Sequence, residues 1–220
     1  MSSILRAANN LSASTAANPN FFYVLHPDAS KHWFGEDTKL ARLGVHGDGS
    51  CAYHSICAAL NVDDYNHRPD AQQKEIAYKF RCSFADKLTA EQLRQLVKKS
   101  KSKSPVRLEE IQTTLCNPKI WADEITLRLM SETLDLNIIF LDMSSNKMYC
   151  GVHHDKAFAK KLPLTIIVLW IGHAHFEPLA RILKQGPHVS EVTMIFDPSN
   201  KHDAALIEYV MQKYKTQCKL

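Results

Sequence analysis

No stretch of this chain is apolar for long enough to cross a bilayer. The longest apolar run, Leu162 to Ile171, is interrupted by Pro163 and Thr165 and falls far short of the roughly 20 residues a membrane helix needs. Residues 1–19 hold one Arg among many Ala, Ser and Asn. They lack the continuous apolar segment of a secretory signal, so a cytoplasmic or nuclear protein is expected. The six cysteines, at 51, 57, 82, 116, 150 and 218, form no CxxC pair, and a chain of 220 residues can build a core without staples. Disulfides are therefore not expected. Charge of one sign is scarce as well: a net +4 is too small for this length to imply nucleic acid or an anionic membrane as partner. The local excess lies at Lys98, Lys99, Lys101 and Lys103, which alternate with serines. Without interleaved aromatics this run reads as a solvated loop rather than a phosphate-binding strip. No internal repeat is present, and 45% hydrophobic with 23% charged residues excludes a disordered or fibrous chain.

What is present is the pattern of one medium domain. Residues 1–20 are expected to form a loose lead-in. Phe21 to Leu25 and Trp33 to Gly35 crowd apolar groups into an arm expected to pack on the domain. Helical spacing follows Cys51, and recurs from Ala71 to Leu88 through Ile76, Ala77, Phe80 and Phe84. Another helix is predicted from Thr89, where Thr89-Ala90-Glu91-Gln92 reads as a capping box. Others are predicted over 106–114, 121–131 and 205–214. From Leu136 the period changes to β-prone runs at 137–141, 147–150, 165–170, 173–179 and 192–196. The run Thr165 to Trp170 is apolar throughout, as in a central strand. Helices lead and strands gather later, which predicts an α+β fold layered around one sheet.

The chemistry concentrates at Gly47-Asp48-Gly49-Ser50-Cys51, a tight loop running straight into a helix. Glycines on both sides of Asp48 permit backbone angles at which the loop's N–H groups converge. A cysteine on the positive end of the helix dipole is expected to favour thiolate, and the same N–H groups can receive an oxyanion. The plainer reading of Cys51 is a buried structural thiol. Cys57, further along the helix, is expected to face the core, and His54 to lie on the helix surface.

A cysteine nucleophile needs an imidazole and a third group to hold it. His175 follows a buried strand and a glycine, and Glu177 lies two residues on, on the same face of an extended segment. His173 shares that face and competes with it, and the plainer reading of His175 is a strand histidine with a satisfied hydrogen bond. A zinc set drawn from Cys150, His153, His154, His173 and His175 is the chemical rival, with loose spacing. Tyr53, Trp121 and Trp170 are read as core aromatics.

Taken together, several pieces resemble the ovarian-tumour (OTU) cysteine proteases, most of which act as deubiquitinases. They are Asp48-Gly49-Ser50-Cys51 with Tyr53 behind it, Trp121-Ala122-Asp123-Glu124-Ile125, Ile138-Ile139-Phe140-Leu141, and the strand leading into His175-Phe176-Glu177-Pro178-Leu179. They occur in the family's order and span roughly Leu43 to Leu179. The resemblance implies an OTU-type, papain-like fold with a central sheet packed between helices. It implies Cys51 as nucleophile, His175 as general base and acid, and Asp48 as a loop residue shaping the oxyanion site. Two positions depart from the family: Ala122 replaces a common Gly, and Glu177 stands where many members carry Asp or Asn. Glu177 is the candidate third member, although another carboxylate or amide would meet the same need. The chain is expected to divide into a partly disordered amino-terminal arm (1–42), a catalytic core (43–183) and a carboxy-terminal strand and helix packed on it (184–220), the two outer segments having no counterpart in the family's minimal core. The implied reaction is thiol-dependent hydrolysis at the C-terminal glycine of ubiquitin or polyubiquitin by a monomer, with no cofactor, metal, nucleic acid or membrane. A ubiquitin-binding scaffold and a protease for another ubiquitin-like modifier are the alternatives.

Overall fold

The structure, a computed structural model, describes residues 16, 18–35, 40–94, 107–122, 124–143, 145, 147–150, 164–184 and 191–214. The lysine run and most of the lead-in lie outside the described residues, as do His153 and His154 of the zinc alternative. In chain order come β1 (Phe22–Val24), α1 (Pro27–Phe34), β2 (Leu40–Leu43), α2 (Cys51–Leu60), a 3-10 turn (Val62–His67) and α3 (Asp70–Lys87). A helical turn at 90–94 precedes α4 (Leu108–Cys116), α5 (Glu124–Leu134), β3 (Asn137–Asp142) and β4 (Lys147–Cys150). The chain ends in β5 (Thr165–Ile171), β6 (His175–Lys184), β7 (Glu191–Thr193) and α6 (Lys201–Tyr214).

The apolar strands sit at the centre of the sheet because each face of them finds a helical layer. The order is β1-β2-β6-β5-β3-β4, with β7 added to β6; β3 and β5 run parallel and the other pairs antiparallel. Ile138, Phe140, Ile166 and Val168 pack with Phe84 of α3, Leu115 of α4 and Met130 of α5. Their neighbours Ile139, Leu141, Ile167 and Leu169 pack with Phe34 of α1 and Leu206, Ile207 and Val210 of α6. That is the period-2 alternation of strands covered on both sides. Each fully buried aliphatic side chain there contributes about 1.5–3 kcal/mol. The α+β prediction holds, with the sheet between helices.

The capping box forms as read: Gln92 N–H donates to Thr89 Oγ1 at 3.2 Å, and Gln92 Oε1 accepts from Thr89 N–H at 3.0 Å. The helix α1 went unread, although its signals are present. Pro27 occupies its first turn, the His26 ring accepts from Asp28 N–H, and Gly35 closes it at φ 70°. A Cβ on Gly35 would lie 2.6 Å from the Tyr209 ring of α6, so glycine also sets how closely these helices approach. The strand β2 runs across residue 42, where arm and core are expected to meet, and Leu40, Ala41 and Arg42 pair with Arg181, Ala180 and Leu179.

Two readings are corrected. Cys82 of α3 and Cys116 at the end of α4 are joined as a disulfide, with a Cα–Cα distance of 4.5 Å across 34 residues of sequence. Helix packing brings them together, and nothing in their spacing signals it. Trp121, read as a core aromatic, is 51% exposed beside the also exposed Ile120, whereas Tyr53 is buried and Trp170 partly so.

Candidate active site

The chain leaves β2 at Leu43 and reaches α2 through a loop that passes directly over the start of β6. Gly47 lies against His175: a Cβ there would stand 3.7 Å from His175 Nδ1. The Val45 carbonyl accepts a hydrogen bond from the same ring. On the other side Cys51, 8% exposed, opens α2 with its sulfur facing the backbone N–H of Phe176, next in sequence to His175. Ser55, one turn on, donates to the Phe176 carbonyl at 3.1 Å and ties α2 to the same strand. Residues 124 positions apart in sequence thus meet because α2 packs on β6 near its first residues.

Burial governs both titrations. Desolvation pushes the Cys51 thiol up, outweighing the amides of Phe176, Ala52 and Cys51 that face the sulfur. Desolvation pushes His175 down, reinforced by the fields of Arg42 and His54 and opposed by the Val45 bond and the Asp48 charge. The resting pair is therefore thiol and neutral imidazole. Enclosure of the helix start works against the thiolate that the dipole and the facing amides favour.

Behind the ring, Glu177 is fully buried and divides its oxygens. Oε1 lies 3.7 Å from His175 Nε2, beyond hydrogen-bond length, and Oε2 lies 3.2 Å from Arg42 Nη1. Arg42 on β2 is itself only 4% exposed at its side chain. His173, the competing base, turns away. It adopts φ 58° in the turn before β6, is 61% exposed, and faces Asp142 Oδ2 at 3.6 Å.

Asp48 is the hinge of a second network. Its Oδ1 accepts from Ser50 N–H at 3.0 Å, and its Oδ2 meets His54 Nε2 at 3.1 Å. His54 Nδ1 lies 2.6 Å from the Tyr65 hydroxyl, and burial pushes that phenol up, so Tyr65 keeps its proton and donates it to Nδ1. His54 Nε2 then carries hydrogen to Asp48. Burial also holds His54 neutral against the pull of Asp48. Burial alone would raise the Asp48 carboxyl, but the His54 bond and field and the Ser50 N–H together hold it below its ordinary value. The expected surface position of His54 is thus corrected: it is wholly buried, because every residue of α2 from Cys51 to Ala58 is enclosed. His46 stands edge-on to it with ring centres 5.2 Å apart, its Nε2 bonded to Gln73 Oε1 at 2.9 Å.

Tyr65, Arg42 and Arg81 lie outside the residues singled out from sequence, and His54 was expected there only as a surface residue. For Arg81 a signal exists: Gln73, Ala77, Arg81 and Phe84 form one buried stripe of α3, and a cation on such a stripe implies a specific partner. Among the described residues no three His, Cys, Asp or Glu side chains gather as a metal site. No helix of the described residues is long and apolar enough to cross a membrane.

The sequence pattern of a family described as OTU-like cysteine protease matches residues 46–215. Among solved structures, the chain is similar to an ovarian tumour (OTU) domain in complex with ubiquitin, at 15% identity and a TM-score of 0.53, over 80% of this chain and 86% of that one. It is also similar to the OTUD1 OTU domain, at 14% identity and a TM-score of 0.45, over 69% and 91% of the two chains. An OTU deubiquitinase from Wolbachia pipientis wMel is 17% identical, with a TM-score of 0.39 and coverage of 64% and 87%. Comparison with curated proteins finds no match.

Proposed function

This chain belongs to the OTU-like cysteine protease family, and on that premise we propose that it is a deubiquitinase, cleaving the isopeptide bond at the C-terminal glycine of ubiquitin. The observation that carries this reading is the Cys51 sulfur seated at the His175–Phe176 peptide, with the His175 ring against the loop that delivers the sulfur. Ubiquitin as substrate is supported by the likeness to an OTU domain whose structure contains it.

His175 starts neutral and takes the Cys51 proton as sulfur attacks the glycine carbonyl. The tetrahedral oxyanion is received by backbone amides at the start of α2. The Ser50 amide is not among them, because Asp48 holds it. Asp48, a carboxylate, therefore shapes this pocket without entering it. The imidazolium of His175 returns its proton to the leaving lysine amine, and the thioester remains on Cys51. Water, deprotonated by His175, then attacks the thioester and releases the ubiquitin carboxylate and the thiol. Glu177 and Arg42 hold the far side of the ring. No step requires a metal or organic cofactor.

The test is cleavage of every di-ubiquitin linkage by the wild type and by Cys51→Ala, together with a ubiquitin probe bearing a C-terminal electrophile. Cleavage abolished in the variant, with an adduct at Cys51 in the wild type, is expected. Undiminished cleavage by Cys51→Ala defeats the assignment. Binding without an adduct turns the reading to a scaffold, and preference for another modifier's probe replaces ubiquitin as substrate.

A further inference from the structure

Arg81 is 1% exposed, and among the described residues no carboxylate lies within ion-pair distance of it. A buried cation so placed is costly, and an apolar side chain would fill the same space on the stripe of α3 without that cost. Three of its five donors are instead spent on backbone carbonyls from separate segments. Nε donates to the Leu115 carbonyl at 2.5 Å, Nη2 to the Ile120 carbonyl, and Nη1 to the Gly49 carbonyl at 3.1 Å. Its face lies over the Tyr53 ring, 4.9 Å from the centroid, within α2 itself.

The bond to Gly49 matters most, because the Gly49–Ser50 peptide is gripped from both sides. Arg81 holds its carbonyl, and Asp48 Oδ1 holds its N–H at 3.0 Å. A peptide fixed at both polar ends cannot rotate, so the next residue, Cys51, inherits a fixed direction. Gly49 also sits at φ 88° under the Pro118 carbonyl, which would stand 2.0 Å from a Cβ. Arg81 binds both that segment, through Ile120, and the loop it covers.

We propose that Arg81 is a positioning residue for the reaction, holding the Gly49–Ser50 peptide so that the Cys51 sulfur and the amides around it are set beside His175. The inference rests on the cysteine-protease reading of the site. The charge contributes as well, since the field of Arg81 reaches Cys51 and favours the thiolate that forms during attack. Lysine at this position supplies the charge but cannot span the separate carbonyls.

The experiment compares full-length wild type, Arg81→Lys, Arg81→Met and Arg81→Ala. Two readouts are taken: the rate of iodoacetamide alkylation at Cys51 against pH, followed on the Cys51 peptide by mass spectrometry, and kcat and KM on a fluorogenic C-terminal amide of ubiquitin. Both Arg81→Lys and Arg81→Met are expected to lose about tenfold to a hundredfold in kcat, with KM within about twofold. The alkylation profile of Arg81→Met is expected to move to higher pH and that of Arg81→Lys to move less. Methylguanidinium added to Arg81→Ala is expected to restore part of the rate, which a role confined to folding would not produce. Unchanged kcat in Arg81→Lys overturns the proposal. So does a loss that tracks the unfolded fraction in thermal melts, with no displaced alkylation profile and no rescue. Alkylation needs no ubiquitin, so a displaced profile in a protein that cleaves no ubiquitin substrate upholds Arg81 and overturns only the choice of substrate.

Discussion

Replacing Glu177 by glutamine separates two duties that one buried carboxylate carries. Its Oε1 faces His175 Nε2 at 3.7 Å and its Oε2 faces Arg42 Nη1 at 3.2 Å, with the Glu177 side chain fully enclosed. Unit charges about 4 Å apart interact by about 4 kcal/mol at an effective dielectric constant near 20. Removing one partner of a buried pair costs a net of about 3–5 kcal/mol, since the other charge stays behind. For a chain of this length that lowers Tm by about 6–20 °C. The effect on His175 has a definite sign. In the wild type the Arg42 field pushes the imidazole down. Glu177→Gln removes the opposing negative charge, so imidazolium becomes harder to form and the acid limb of kcat/KM moves to lower pH, by about one unit for each 1.4 kcal/mol. Arg42→Met removes the repulsive field and moves the limb upward. The double variant Arg42→Met with Glu177→Gln recovers much of the lost stability, because a neutral pair of similar volume needs no counter-charge. Calorimetry and pH–rate profiles on a ubiquitin amide measure both effects. An acid limb that rises in Glu177→Gln, or a Tm that does not fall, refutes this account of the carboxylate.

Gly49→Ala places a Cβ 2.0 Å from the Pro118 carbonyl at a residue held at φ 88°. The loop must shift, so kcat/KM is expected to fall by about a hundredfold or more, measured on the same amide against the thermal melt. His54 and His175 are both buried with their ionisation pushed below the ordinary 6.5, chiefly by desolvation. Below that value the unfolded chain binds protons that the folded chain refuses, so stability is full above it and declines as pH falls toward the folded values. Thermal melts should therefore drop between about pH 7 and about pH 5, and less steeply in His54→Gln, whose amide still donates to Asp48. A melt that is flat across that interval contradicts the neutral assignment of both rings.

Local chemistry was legible in the amino-acid sequence wherever one segment settles its own backbone or its own burial. The glycine-flanked loop into α2, the capping box at Thr89 and the apolar runs of β3 and β5 are of this kind: each depends on residues a few positions apart and on whether two faces or one must be covered. The helix α1 belongs with them, since Pro27 and Gly35 mark its ends. Sequence order also carried the likeness to the OTU family, and with it Cys51 and His175 as a candidate pair. Tertiary packing alone decided the rest. Periodicity reports that a face is buried but not what it is buried against, so it could not tell that α2 is enclosed all round and that His54 is therefore a buried partner of Asp48 rather than a surface residue. It could not join Arg42 to Glu177, Arg81 to Gly49, or Cys82 to Cys116, because those contacts depend on which elements neighbour one another in the folded chain. Nor could it foresee that desolvation at the start of α2 outweighs the amides that face the sulfur. Local order places a dipole beside the thiol, but only the completed fold removes the water.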